Sequence, residues 1–78
     1  MSEQITYEIK MNIGVLKINE NSGWRRELNI VSWNGSQPKF DIREWSPDHK
    51  KMGRGITFAQ EEMQQIVDLY RDYKFMRQ

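Results

Sequence analysis

The stretch that decides the fold is FDIREW, from Phe40 to Trp45, in which apolar and charged residues alternate. Successive side chains of a β-strand point to opposite faces of its sheet, so Phe40 and Ile42 share one face. Arg43 and Trp45 share the other. The first pair is fully apolar and suits a core. The second pair is a cation and a large aromatic, and its face needs a different explanation.

Strand patterns on both sides of this stretch predict a meander. Residues 5–19 alternate in hydropathy and change phase at Gly14, and an isolated glycine in a strand pattern marks a bulge. Residues 24–33 form a second strand pattern, followed by Asn34–Gly35, a strong hairpin signal. Residues 54–58 form a short fourth strand pattern. We therefore predict four antiparallel strands that pair in sequence order.

The period of the apolar residues changes to that of a helix after residue 58. The positions with helical spacing are Met63, Ile66, Val67 and Tyr70. We predict a helix from about Ala59 to about Lys74, with Thr57 and Gln60 as a capping box. Its apolar stripe is expected to cover the face that carries Phe40. The face that carries Arg43 would then have no cover from the same chain.

Length and composition limit the possible classes of protein. Seventy-eight residues make one domain, residues 1–78. The absence of cysteine and the single histidine argue against a disulfide or a structural zinc site, and we expect no metal and no cofactor. The first ten residues have no apolar run typical of a signal peptide, and no stretch approaches a membrane span. We expect a cytoplasmic protein without a membrane partner.

Positive charge is concentrated in the middle of the chain. The net charge is +1, yet residues 24–58 contain seven bases and only four acids. Trp24 and Trp45 each lie within two positions of an arginine. Aromatic side chains among bases on a sheet suit single-stranded nucleic acid, which needs a charge track and stacking surfaces. The alternative, solvated charges and tryptophans packed under a loop, remains open from composition alone.

The sequence offers little support for catalysis. His49 lies beside two lysines, and we expect it to be solvated. The serines have no evident base partner that would activate them as nucleophiles. Asp41 and Glu44 fall on opposite faces of their strand and so form no carboxylate pair. We therefore expect no catalytic residues and no enzymatic activity.

Three motifs in order resemble a known family. FDIREW, the polar loop SPDHKK and GRGITF, followed by an amphipathic helix, resemble the DNA-binding domain of the transcriptional positive cofactor four family, and its small bacterial YdbC-type branch in particular. The resemblance covers Ile30 to about Tyr73. It implies an α+β fold in which a curved four-stranded antiparallel β-meander precedes one C-terminal α-helix. It also implies a two-fold homodimer that binds single-stranded DNA with little sequence preference at the nucleoid.

The resemblance also suggests individual site residues. Arg43 matches a strand arginine that contacts DNA, and Trp45 matches the aromatic end of the same motif. Trp33 is a candidate replacement for an aromatic of the family's longer hairpin. The full nucleic-acid-binding set that we predict is Lys17, Trp24, Arg25, Arg26, Trp33, Lys39, Arg43, Trp45, Lys50, Lys51 and Arg54. The predicted dimer interface comprises Ile66, Leu69, Tyr70 and Tyr73.

These residues suggest a specific groove. We expect Trp33, Arg43 and Trp45 to form it, with a rim of bases at Lys39, Lys50, Lys51 and Arg54. The family's serine- and lysine-rich regulatory tail has no counterpart here, so its coactivator regulation is not implied. Other possibilities remain: Trp45 packs at a dimer seam or under the loop, or the aromatic face binds RNA or a partner protein such as the transcription machinery.

Overall fold

The computed structural model of the protein describes residues 5–76. Its elements are β1 (Tyr7–Ile18), β2 (Arg25–Trp33), β3 (Lys39–Trp45), β4 (Met52–Phe58) and α1 (Gln60–Met76). The strands form one antiparallel sheet in the order β1-β2-β3-β4. The predicted meander followed by a helix is confirmed. In this described part of the chain, no helix is both long and apolar enough to cross a membrane.

Cross-strand pairing divides the sheet into two faces. One face, which we call the apolar face, carries Leu28, Ile30, Phe40, Ile42, Ile56 and Phe58, because these residues pair with one another across β2, β3 and β4. The opposite face, which we call the polar face, carries Glu27, Asn29, Asp41, Arg43 and Trp45. The division predicted from FDIREW is therefore confirmed.

The edge strand β1 is strongly bulged. Its register against β2 shifts three times, between Ile9 and Met11, between Asn12 and Gly14, and between Val15 and Lys17. The bulge predicted at Gly14 is confirmed, and the other two had no sequence signal. Bulges increase the local twist and interrupt the ladder, which protects an edge strand from pairing with further chains.

The hairpin between β2 and β3 follows its Asn-Gly signal. Asn34 and Gly35 have φ angles of 52° and 75°, and the Ser36 amide donates a hydrogen bond of 2.8 Å to the Trp33 carbonyl. Two successive positive φ angles are typical of a type I′ turn, whose twist matches that of the strands. The Asn34 side chain also accepts the Thr6 amide at 2.9 Å, which ties the start of β1 to this turn.

Helix α1 begins with a different cap from the predicted one. The Ala59 amide donates to the Glu62 carboxylate at 2.8 Å, the glutamate half of a capping box. Thr57 instead donates its hydroxyl to Asp41, so the predicted capping role of Thr57 and Gln60 is wrong. The acidic first turn of α1 suits the positive end of the helix dipole.

The apolar stripe of α1 does not cover the apolar face of the sheet. None of the α1 side chains, all within the described residues, is buried. Ile66, Val67 and Tyr70 are exposed, and Ile56 on the sheet is 60% exposed. The prediction that this helix packs over Phe40 and Ile42 is therefore wrong. The helix starts near the stacked rings of Phe40 and Phe58 and packs only lightly against β3.

Candidate nucleic-acid interface

Trp45, the aromatic end of FDIREW, is completely buried on the polar face. It is 0% exposed, and its ring centre lies 5.2 Å from that of Tyr7 and 5.8 Å from that of His49. The loop of residues 46–51 folds over this ring, and the Tyr7 hydroxyl donates to the His49 carbonyl at 2.6 Å. The expectation that Trp45 is an exposed stacking surface is therefore wrong, because it packs under the loop.

The covering loop is closed by its own hydrogen bonds. The Ser46 amide donates to the Lys51 carbonyl at 2.9 Å, and the Lys51 amide returns a bond of 3.0 Å to the Ser46 hydroxyl oxygen. The Asp48 carboxylate accepts the Lys50 amide and the Ser46 hydroxyl. These two donors, the Lys50 amide first, favour the charged form and hold the pKa of Asp48 below its ordinary value of 3.8.

A buried carboxylate joins this loop to the sheet. Glu27 is 0% exposed and accepts hydrogen bonds from Asn12 at 3.2 Å, Asn29 at 3.1 Å and Arg25 at 3.0 Å. His49 Nε2 lies 2.9 and 3.1 Å from its two oxygens. A carboxylate only accepts, so Nε2 carries the hydrogen of this contact. The expectation that His49 is solvated is wrong, because it anchors the loop to β2.

Arg43 is held in one position by a second buried carboxylate. Its Nε and Nη2 donate to the two oxygens of Asp41 at 2.8 and 2.9 Å, while Nη1 donates to the Gly53 carbonyl at 3.3 Å. Thr57 supplies another bond to Asp41. The Arg43 side chain is only 15% exposed, so it is not the open cation that the sequence suggested. Its guanidinium carbon lies 4.7 Å from the centre of the Trp33 ring, in cation–π contact.

A glycine beneath Arg43 makes this arrangement possible. Gly55 pairs with Arg43 across β3 and β4. A Cβ atom at Gly55 would lie 2.2 Å from the Arg43 Cβ and 2.4 Å from the Ile42 carbonyl oxygen, closer than any side chain can approach. The glycine of the GRG motif therefore makes room for the arginine of FDIREW. The sequence holds both residues, but their meeting depends on the register.

The structure brings together the three residues of the predicted groove in altered roles. Tyr7 links them, with its ring 5.9 Å from Trp33 and 5.2 Å from Trp45. Trp33 and Arg43 remain partly exposed, whereas Trp45 is fully buried against Tyr7 and His49. Sequence reasoning missed Tyr7, and it missed the buried acids. The alternation of Glu27 with Asn29, on the face shared with Asp41, gave no signal of burial, because the same pattern is typical of a solvated strand face.

Four of the predicted bases form no ion pair within the described residues, and they lie on β3, on β4 and in the covering loop. Lys39 lies at the hairpin end of β3, Lys50 and Lys51 lie in the covering loop, and Arg54 lies on the edge strand β4. All four are exposed, and none forms an ion pair with another residue in the range 5–76. We call these four residues the basic rim. Arg25, at the far end of β2, pairs with Glu27.

The remaining predicted residues lie on the other side of the sheet. Lys17 pairs with Arg26 across β1 and β2, and Arg26 pairs with Glu44 across β2 and β3. Together with Asn19 and Trp24 they line a recess of about 70 Å³ that is open to solvent. We call it the Trp24 recess. The predicted nucleic-acid-binding set is thus divided between two faces and does not form one surface.

Two further observations limit the chemistry of the site. No group of three or more His, Cys, Asp or Glu side chains within residues 5–76 is arranged to hold a metal ion. The serines nearest the polar face are engaged in local bonds: Ser46 donates to Asp48, and Ser32 donates to the Ser36 carbonyl. Neither serine hydroxyl is hydrogen-bonded to the His49 ring, and the His49 backbone amide donates to the Ser46 carbonyl at 2.9 Å.

Comparison with known proteins agrees with the geometry. The model of a family described as Transcriptional Coactivator p15 (PC4) matches residues 20–69, which is more than half of the chain. A protein of Treponema pallidum (strain Nichols), described only as uncharacterized, is 44% identical over 69 residues, covering 88% of this chain and 80% of that protein. The resemblance inferred from the three motifs is confirmed. This chain belongs to the PC4 family of nucleic-acid-binding, non-enzymatic domains.

Proposed function

We propose that the protein binds single-stranded DNA without sequence preference along the polar face, as a homodimer. The observation that carries this proposal is the fixed Trp33–Arg43 pair, which is partly exposed and has Lys39 on the same face of β3. Membership of the PC4 family supports the same function. The proposal places the protein at the nucleoid, wherever strands are opened during transcription, replication or repair.

The basic rim supplies affinity that does not depend on sequence. Each lysine or arginine that meets a phosphate releases condensed counterions, so binding weakens as salt rises. Lys50 and Lys51 suit this role because their loop is already ordered by its internal hydrogen bonds and by the His49–Glu27 contact. An ordered loop loses less conformational freedom on binding than a mobile one.

The Trp33–Arg43 pair supplies a surface for bases. Unpaired bases stack on aromatic rings and on planar guanidinium groups, and this contact accepts every base. Asp41 fixes the plane of the Arg43 guanidinium with a bidentate hydrogen-bonded contact. The side chain is therefore already ordered and loses less conformational entropy on binding than a free arginine would. Trp45 and Tyr7 act beneath this surface as packing residues and need no contact with DNA.

The homodimer rests on the uncovered apolar surface. Ile66, Leu69 and Tyr70 on α1 are exposed, as is Ile56 on the sheet. A second copy related by a two-fold axis would cover both the stripe of α1 and the apolar face. Tyr73, the fourth predicted interface residue, lies one turn beyond Leu69 and is 53% exposed. Two polar faces on one dimer would give a single strand a longer path.

Fluorescence anisotropy of a labelled oligothymidine of about 20 nucleotides tests this function. Wild-type protein is expected to bind it tightly at low salt and more weakly at moderate salt, with little binding to a duplex of equal length. Changing Lys50 and Lys51 together to alanine should reduce the salt slope by about 2, one per lost phosphate contact. Lys10→Ala is the matched control, because Lys10 already pairs with Glu8.

A separate variant tests the proposed stacking of bases on Trp33. Trp33→Ala is expected to weaken binding roughly tenfold, within the range measured for single stacked bases. Equal affinity for a matched RNA strand would favour the RNA-binding alternative. The absence of any salt-dependent binding to a single strand would contradict the proposal and favour a protein partner for this face.

A further inference from the structure

The Trp24 recess is not used by the function proposed for the polar face. Its residues lie on the opposite side of the sheet from Trp33 and Arg43. Arg26 and Glu44 pair at the end of β2 and β3 that lies away from the start of α1. The recess is on the side of the apolar face but beyond Leu28 and Ile42, and we expect the homodimer contact to end short of it.

The recess combines an aromatic ring with charges of both signs. Trp24 is half-buried and lies close to β4, with Cζ3 3.9 Å from the point where Gly53 would carry a Cβ. Arg26 Nη2 and Glu44 Oε2 are 2.8 Å apart, and their side chains are 49% and 45% exposed. Lys17 forms no ion pair with any residue in the described range 5–76.

This set of side chains matches one nucleobase better than the others. An indole offers a stacking surface to any base. A carboxylate only accepts hydrogen bonds and favours an edge with two adjacent donors. Guanine alone among the common bases has this edge, formed by N1–H and the N2 amino group, with the O6 acceptor beside it. Arg26 is placed next to Glu44 to donate to O6, and Lys17 can meet a phosphate.

We propose that the Trp24 recess binds one unpaired guanine nucleotide. The base stacks on Trp24, Glu44 accepts its N1–H and N2–H, Arg26 donates to O6, and Lys17 holds the phosphate. The proposal adds a base-selective site to the chain and is independent of strand binding on the polar face. The guanine can come from a free nucleotide or from a strand, and both sources present the same edge.

Nuclear magnetic resonance of the indole N–H groups tests the proposal directly. The chain has three tryptophans, and Trp24→Phe identifies the Trp24 signal by its loss. Full-length wild-type protein is titrated with 5′-GMP, 5′-AMP, 5′-CMP and 5′-UMP, and separately with an oligothymidine that contains one dG. The Trp24 signal is expected to move with GMP at a concentration about tenfold lower than with the other nucleotides.

Glu44→Gln separates base selection from stacking. This variant keeps the size of the side chain but replaces one acceptor oxygen by a donor, so the preference for GMP should fall to about onefold. The Trp33 and Trp45 signals should be unchanged, which reports an intact fold. Movement with GMP alone indicates a free-nucleotide site, and movement only with the dG strand indicates a strand site; both support guanine binding.

Three results would overturn the inference. An equal response to all four nucleotides removes the guanine assignment, and a preference that persists in Glu44→Gln removes the proposed recognition of guanine by Glu44. A Trp24 signal that moves with neither probe removes the site. A wild-type protein that binds GMP but no oligothymidine would retain this inference while the polar-face proposal fails, so the two failures can be distinguished.

Discussion

The two faces of the sheet reverse their expected roles. The apolar face was expected to be covered by α1, yet Ile56 is 60% exposed and no α1 side chain within the described residues is buried. The polar face was expected to be open, yet Glu27, Asp41 and Trp45 on it are 0% exposed. Hydropathy alternation assigns side chains to faces, but it does not say which face is covered within the protomer.

The physical reason lies in the partners available to each face. A short loop covers the part of the polar face around Trp45, because Glu27 and His49 meet there and the Trp45 ring packs against His49. A buried carboxylate is tolerated only when several donors satisfy it. The apolar face has no comparable loop, and covering it requires a surface as large as another copy of the sheet and helix.

The largest loss of stability is expected when the buried carboxylate of Glu27 is removed from the polar face. Glu27→Ala removes the acceptor for four side chains, and the free energy of unfolding should fall by about 3 kcal/mol. The exposed Arg26–Glu44 pair is the matched control, because Glu44→Ala should cost less than about 1 kcal/mol. Urea unfolding monitored by circular dichroism measures the free energy of unfolding of both variants. Equal losses would contradict the conclusion that buried Glu27 stabilises the fold more than exposed Glu44.

The next effect concerns the close approach beneath Arg43. Gly55→Ala places a methyl group against the Arg43 Cβ and the Ile42 carbonyl oxygen, which must separate β3 from β4. We expect a loss of about 2 kcal/mol in thermal or urea unfolding. Gly14→Ala is the control, since nothing lies within 4 Å of the added atom. A Gly55→Ala variant as stable as the Gly14→Ala variant would refute this packing.

A charge placed in the apolar stripe of α1 tests the proposed homodimer. Ile66→Asp should raise the dimer dissociation constant about 30-fold, because it buries a carboxylate in the proposed interface. Gln65→Asp adds the same charge at a polar position of the helix and should leave the constant unchanged. Sedimentation equilibrium measures both variants. Wild-type protein that is monomeric at micromolar concentration would contradict the homodimer.

The smallest effect concerns the loop that seals the polar face. The lowered pKa of Asp48 contributes stability above the pKa of the unfolded chain, near 3.8. This contribution is lost as pH falls through the folded-state pKa. Asp48→Asn should therefore melt below wild type near neutral pH and converge with it in acid, once the pH has fallen below the folded-state pKa of Asp48. A melting difference that is the same at both pH values would show that Asp48 is not charged through these contacts.

Much of the fold could be predicted from local patterns. Alternation in residues 40–45, the Asn34–Gly35 turn and the helical period after residue 58 each depend on neighbours in sequence, and all are confirmed. The packing of Trp45 under the loop could be predicted only as one alternative, because it depends on Tyr7 and His49 meeting across 42 positions of the chain. The split of the site between two faces likewise required the register of β2 against β3.

The central claim is that the polar face binds single-stranded DNA while the apolar face pairs with a second copy. Amide chemical-shift mapping of the full chain with an oligothymidine tests it most directly. The largest shifts are expected at Trp33, Arg43 and the loop of residues 46–51, with α1 little changed. Shifts concentrated on Ile56 and α1, with the polar face silent, would contradict it.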